Sequence, residues 1–271
     1  MLYRNYQPGP PLAAFVSSLW FSEGFEGSHT LERLLPNGES GIVFDLREGA
    51  APRGGGEMSG EEATDADSVF CGARSDYFLL DTSRQQRVAG IQFRPGGAYP
   101  FMGIPASEIA NATYALDDIW PREAALVREQ LLAASSVEAI FGVLVRMLLA
   151  RLKQCMEVHP AIGVAVEQLD LPGEMRVQTV VEDIGLSSRH FKEIFHRQTG
   201  LTPKAFQRVR RFQHALKALH SRQPADAAEL AIACGYYDQA HFIHDFKRFS
   251  GVTPGEYRLI ATNHLNHLPI K

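Results

Sequence analysis

Arg189, Lys192, Glu193 and His196 are spaced i, i+3, i+4 and i+7, so on a helix they form one continuous polar stripe. The chemistry such a stripe suits is the reading of base-pair edges. Arg or Lys can meet the two acceptors that guanine shows in the major groove, and Glu can accept from a cytosine amino group. A second stripe, Gln239, Ala240, Ile243 and His244, lies about fifty residues further on and is poorer in donors. There Gln239 suits adenine and Ile243 suits a thymine methyl group, unless Ile243 simply packs. Lys204, Arg208, Arg210, Arg211, Lys247 and Arg248 are the candidates for phosphate contact, joined by the helix starts at Thr202 and Thr253. Any solvated helix face can carry such residues. The stripes gain meaning only from the elements that hold them.

Those elements come in duplicate. Phe191, Phe195, Gly200, Thr202, Pro203 and Phe206 recur 51 positions later as Phe242, Phe246, Gly251, Thr253, Pro254 and Tyr257. Upstream the offset is 50, so Val177, Val180, Val181 and Ile184 answer to Ala227, Leu230, Ala231 and Cys234, with one residue inserted at the turn. Each copy reads as helix, tight turn, helix. Gly185 and Gly235 supply left-handed turn residues, and Ser187 and Asp238 are helix caps. The second helices are expected at about 188–199 and 239–250, placed as recognition helices of a helix-turn-helix. Thr-Pro then starts another helix after each unit. The first of these, Pro203 to about His220, is about 27 Å long at ~1.5 Å per residue. That approaches the ~34 Å of one DNA turn, so the two units could enter successive major grooves.

The first hundred residues read differently. "AFVSSLWF", "ESGIVFDL", "DSVFCGA", "DYFLLDT" and "VAGIQFRP" are short apolar runs punctuated by turn residues, which predicts a barrel- or sandwich-like β-domain. A Gly- and acid-rich stretch between Leu46 and Val69 reads as a long loop. Two amphipathic helices follow, in "PREAALVREQLLAAS" and "SVEAIFGVLVRMLLARLKQC", with apolar faces that suit the β-domain or a second subunit. The fold class expected is α+β overall: a β-rich domain with trailing helices over 1–155, and an all-α domain with two helix-turn-helix units joined by a long helix over 156–271.

The formal charge of −4 is unevenly spread. Residues 176–260 hold 13 Lys and Arg against 8 Asp and Glu, a net of +5, while the remainder carries 14 against 23, a net of −9. That asymmetry fits a nucleic-acid-facing part joined to one that faces something else. Cys71, Cys155 and Cys234 are odd in number and lack CxxC spacing, which argues against a disulfide framework and a cysteine zinc site. His241 and His244 come without HExxH, and His29 is the lone histidine of the β-rich half, so neither metal nor cofactor nor enzyme is expected. No apolar run is long enough for a membrane helix, and the start has prolines where a signal peptide needs its apolar core, pointing to a cytoplasmic chain. Trp20, Phe44 and Phe93, with Phe21, Phe70 and Tyr77, could line an effector pocket, although strand aromatics more often build core.

The segments "GLSSRHFKEIFHRQTGLTPKAFQRVRR" and "AAELAIACGYYDQAHFIHDFKRFSGVTPGEYR", with their spacing, resemble the AraC/XylS family of bacterial transcription regulators over about Pro160 to Ala261. "LLPNGESGIVFDL" and "IQFRPGGAYPFMGIPASE" resemble, less specifically, the small β-domain that precedes this module in some such regulators. The resemblance implies double-stranded DNA as a partner, with RNA polymerase, a small-molecule effector and a second copy as further ones. It also implies that Arg189, Lys192, Glu193 and His196 reach base edges. His244 stands where relatives often have Arg, so the second unit is expected to anchor more than it reads. The alternatives are a DNA-repair or other enzyme fused to such a module and an architectural DNA-coating protein. An acidic companion domain opposes the latter.

Overall fold

The computed structural model describes residues 1–25, 29–47, 66–152, 157–173, 175–221, 227–262 and 264–270. Most of the expected loop between Leu46 and Val69, and the expected boundary at 155/156, lie outside the described residues. The amino-terminal half supplies strands β1 (Leu2–Tyr6), β2 (Val16–Glu23), β3 (Leu31–Leu34), β4 (Gly41–Asp45), β5 (Ser68–Cys71), β6 (Phe78–Asp81), β7 (Arg87–Phe93) and β8 (Thr113–Ala115). One antiparallel sheet runs in the order β1-β2-β7-β4-β5-β8. Its inner strand β7 is buried along most of its length, as a strand flanked on both edges should be. Side chains alternate across this sheet, so Leu19, Phe21, Phe44, Ile91 and Phe93 share one face.

Helices cover that face. The short α1 (Tyr99–Met102) and α2 (Leu116–Ile119) lead to α3 (Glu123–Leu132) and α4 (Val137–Leu152), whose Leu131, Ile140, Leu144 and Leu148 join the same core. Of the two destinations expected for these helices, the apolar faces take the sheet of their own chain.

The helical half holds α5 (Pro160–Leu169), α6 (Val177–Ile184), α7 (Ser188–Thr199), α8 (Pro203–His220), α9 (Ala227–Ala233), α10 (Gln239–Ser250) and α11 (Pro254–Ile260). Both helix-turn-helix units thus fall where the repeat places them. Each has its own core: Ile162, Leu169, Val180, Phe191, Phe195 and Phe206 for the first, Phe212, Leu216, Leu230, Phe242, Phe246 and Tyr257 for the second. Helix α8 serves both, giving Phe206 to one and Val209 and Phe212 to the other.

Strands β1 and β3 and the carboxy-terminal strand β9 (His267–Pro269) escape the sequence reading. β3 carries charges within "LERL", and β9 is three residues with a proline, too short for any period to show. β9 closes a second sheet in the order β6-β3-β9, so the end of the chain returns to the amino-terminal domain. The amino-terminal half also contributes to the cores of the helical half. Leu35 lies in the core of the second unit and Ala73 in that of the first. Gly38, at φ +78°, lies where a Cβ would come within 3.1 Å of the Phe206 ring, so only glycine lets this loop sit so close to α8.

Candidate nucleic-acid interface

Local sequence fixes both recognition helices at both ends. The Ser187 side chain accepts from the His190 N–H, and Asp238 accepts from the His241 N–H at 2.7 Å. At the far ends the chain leaves through Gly200 (φ +84°) and Gly251 (φ +74°). Beside them sits a matched pair of hydroxyls that sequence reasoning missed. Thr199 Oγ1 donates to the Phe195 carbonyl at 2.8 Å and accepts from the Leu201 N–H at 3.3 Å. Ser250 Oγ does the same with Phe246 at 2.7 Å and Val252 at 3.3 Å. Their 51-residue spacing was the available signal. Thr202 and Thr253 then cap α8 and α11, the latter through a reciprocal capping box with Glu256.

With Phe191 and Phe195 buried, the opposite stripe of α7 faces outward: Arg189, Lys192, Glu193 and His196 are all exposed. Arg189 and Glu193 pair with each other at 3.0 Å, with 90% and 60% of their side chains accessible. A surface pair of this kind holds by less than about 1 kcal/mol, so either member is free to exchange its partner. On α10, Gln239, Ala240 and His244 are exposed and Ile243 is half-buried against the core of its unit.

The phosphate candidates divide. Lys204 and Lys247 are exposed. Arg248 is exposed and paired with Asp76 of the amino-terminal domain at 3.2 Å. Arg208 points inward instead, bonding Asp245 at 2.6 Å, with its guanidinium also over the Phe249 ring. Asp245 is 1% exposed on the buried side of α10, between Phe242 and Phe246, a charge among aromatics that a helical wheel of this segment displays. Bonding to Asp245 raises the Arg208 pKa, against the lowering effect of burial. Arg210 is likewise engaged, bidentate to Asp170 at 2.6 and 2.8 Å and donating to the Asn37 carbonyl at 2.9 Å. Burial works to raise the Asp170 pKa, but hydrogen bonds from His214 and Arg210 outweigh it and hold it at about 2. Arg211 lies over the Tyr236 ring, whose hydroxyl is pushed up by burial. Arg208 and Arg210, both expected at phosphates, are thus engaged within the fold, because each faces a buried or half-buried carboxylate.

The aromatic pocket residues do not converge either. Phe44 and Phe93 are fully buried in the core, while Trp20 pairs with Gly90 and lies on the opposite face of the sheet. A Cβ at Gly90 would come within 2.3 Å of the indole, so Trp20 packs flat on the backbone there. Strand alternation separates residues that looked clustered by composition. A cavity of about 10 Å³, room for one water, lies where Ser40, Gly72, Gly96 and Tyr99 meet Gln198 and Thr199 of α7. Among the described residues no group of three or more His, Cys, Asp or Glu is arranged to hold a metal, and no helix is long and apolar enough to cross a membrane.

Comparison with known proteins divides the chain as the fold does. Residues 180–259 match a family model described as a helix-turn-helix domain, and residues 4–115 match a domain of unknown function, DUF6597. The HTH-type transcriptional regulator MtrA of Neisseria gonorrhoeae is 32% identical over 85 residues, which span 31% of this chain and 28% of MtrA. The probable transcription factor PqrA of Proteus vulgaris is 29% identical over 91 residues, 34% of this chain and 74% of PqrA. Among solved structures, a probable AraC family transcriptional regulator from Rhodopseudomonas palustris matches at 26% identity and a TM-score of 0.33, over 37% of this chain and 96% of that one. ToxT from Vibrio cholerae matches at 10% identity and a TM-score of 0.45, over 91% and 97%. The chain thus carries an AraC-type helix-turn-helix domain over residues 180–259, where the repeat puts its two units, and a DUF6597 domain over residues 4–115.

Proposed function

We propose that this protein is a sequence-specific, DNA-binding transcription regulator that places α7 and α10 in successive major grooves of one duplex. The observation that carries this reading is the duplicated unit with its polar stripes left open to solvent while every repeated aromatic is buried. An exposed row of Arg, Lys, Glu and His on the second helix of such a unit is suited to base edges. Exposed Lys204 and Lys247, with the amino-termini of α8 and α11, supply backbone contacts. The chain acts without catalysis in this reading, and regulation of this type would add RNA polymerase, a second copy and a small effector as partners. The relatives named as transcription regulators support it over the helical half.

The test is selection of bound sequences from random duplex DNA by the full-length protein, followed by titration of salt against the selected site. A bipartite motif is expected, with binding that weakens at a log–log slope of roughly −4 to −8. Uniform coating of DNA with no selected motif would identify an architectural protein instead.

A further inference from the structure

We propose that the carboxy-terminal strand β9 is a clasp that fastens the second helix-turn-helix unit to the amino-terminal domain, and so sets the position of α10 relative to α7. The clasp begins where α11 ends. Residues 264–270 leave the second unit, with the Tyr257 hydroxyl donating to the Leu265 carbonyl at 3.3 Å, and His267–Pro269 pair antiparallel with β3, Leu34 opposite His267 and Glu32 opposite Pro269. The Leu35 N–H donates to the Asn266 carbonyl at 2.9 Å and the Ile270 N–H to the Leu31 carbonyl at 3.0 Å. Leu268 is completely buried, in the same cluster as Leu35 and Phe212.

A buried carboxylate locks the strand. Glu32 is 5% exposed, with one oxygen 2.7 Å from His267 Nδ1 on β9 and the other 2.5 Å from His29 Nε2. Burial works to raise its pKa, and the hydrogen bonds from His267 and His29 overcome this and lower it. Taking β9 away strips this carboxylate of one partner, a cost that holds the strand in place.

Further contacts from α8 and α10 converge on the same segment of the amino-terminal domain and its neighbours. Gln213 of α8 donates to the Pro36 carbonyl at 2.7 Å and to Asn266 Oδ1 at 2.9 Å, joining loop, linking helix and tail at one amide. Arg210 holds the Asn37 carbonyl. At the end of α10, Gly251 abuts Arg33 and Tyr77, and Arg248 meets Asp76. The second unit is therefore fixed from both ends, through α8 and through β9, by residues 31–38 and their neighbours. Because Gln239, Ala240, His244 and Lys247 remain exposed with the clasp closed, it positions the unit and does not cover it.

The DNA half of this inference rests on the proposed regulator reading, so the experiment has one arm free of DNA. Full-length protein, His267→Ala, the rescue His267→Asn, whose amide can replace the Nδ1 donor, and a chain ending at Ala261 are compared. In hydrogen exchange by mass spectrometry, His267→Ala and the shortened chain should exchange about tenfold faster in β3 and in α10–α11, the ratio expected from loss of one charge-assisted hydrogen bond. The α6–α7 peptides should be unchanged and His267→Asn should restore protection. Unchanged exchange in α10–α11 when β3 has lost its protection overturns the clasp. If the shortened chain does not fold, the His267→Ala and His267→Asn pair decides. In the second arm, DNA carrying two half-sites at varied spacing is selected. The native protein and His267→Asn should pick one spacing, and His267→Ala should lose that single preference while the half-site read by α7 is kept. The same sharp spacing in His267→Ala overturns the proposal. If the native protein selects no motif, the regulator reading fails while the exchange arm still judges the clasp.

Discussion

At the scale of residues, the two copies of one motif have diverged in what they can do. Lys192 and Arg189 are exposed donors on α7, whereas α10 offers Ala240 and a half-buried Ile243 at comparable stripe positions. Replacing Lys192 by Ala should weaken specific binding by about 1–3 kcal/mol and relax preference at one or two adjacent base pairs, read from selected motifs at fixed salt. His244→Ala, in the same assay, should leave the motif almost unchanged. If His244→Ala erases base preference and Lys192→Ala does not, α10 is the reader. A different balance governs Arg208. Removing it leaves the buried Asp245 carboxylate without its cationic partner, so Arg208→Ala should cost roughly 3–5 kcal/mol in urea unfolding. Loss of DNA affinity at unchanged stability would instead return Arg208 to the phosphate contacts the sequence suggested.

At the scale of elements, α8 has more tasks than a connecting rod. One face completes two cores, and Arg210 and His214 near its middle hold Asp170 at the end of α5. This gives a pH dependence with a defined sign. The Asp170 pKa is lowered to about 2, so its contribution is full above the ordinary carboxylate range and is lost as pH falls from about 4 to 2. Urea unfolding across that interval should show the native protein losing stability more steeply than Asp170→Asn, which is less stable at neutral pH. Parallel acid limbs for the two proteins would show that Asp170 is not held in this way. The helices themselves were legible in the sequence because each is specified locally: caps at Ser187, Thr202, Asp238 and Thr253, glycines at the ends, and aromatics at helical spacing. β3 and β9 were not, because a short charged strand has no pattern of its own and exists only through its partners.

At the scale of the whole molecule, the carboxy-terminal strand β9 returns to pair with β3 of the amino-terminal half. Leu35→Ala, a substitution in the amino-terminal half, should destabilise the second helix-turn-helix unit by about 2–5 kcal/mol. Faster hydrogen exchange in α9–α10, with α6–α7 unaffected, is the expected readout, and a change confined to β2 and β7 would contradict it. By itself the sequence determined the duplicated helical module, its polar stripes and the β-rich character of the other half. These are properties of local period, capping and turn chemistry, which act over a few residues. Only the tertiary structure decided which charges stay free. Lys192 and Lys204 remain in solvent, whereas Arg208 and Arg210 close onto Asp245 and Asp170, 37 and 40 residues away. It also decided that Trp20 parts from Phe44 and Phe93, and that His267 meets Glu32 across 235 residues of chain. Such pairings depend on where the backbone brings distant segments together and on the cost of burying a charge without a partner, and no spacing along the sequence encodes them.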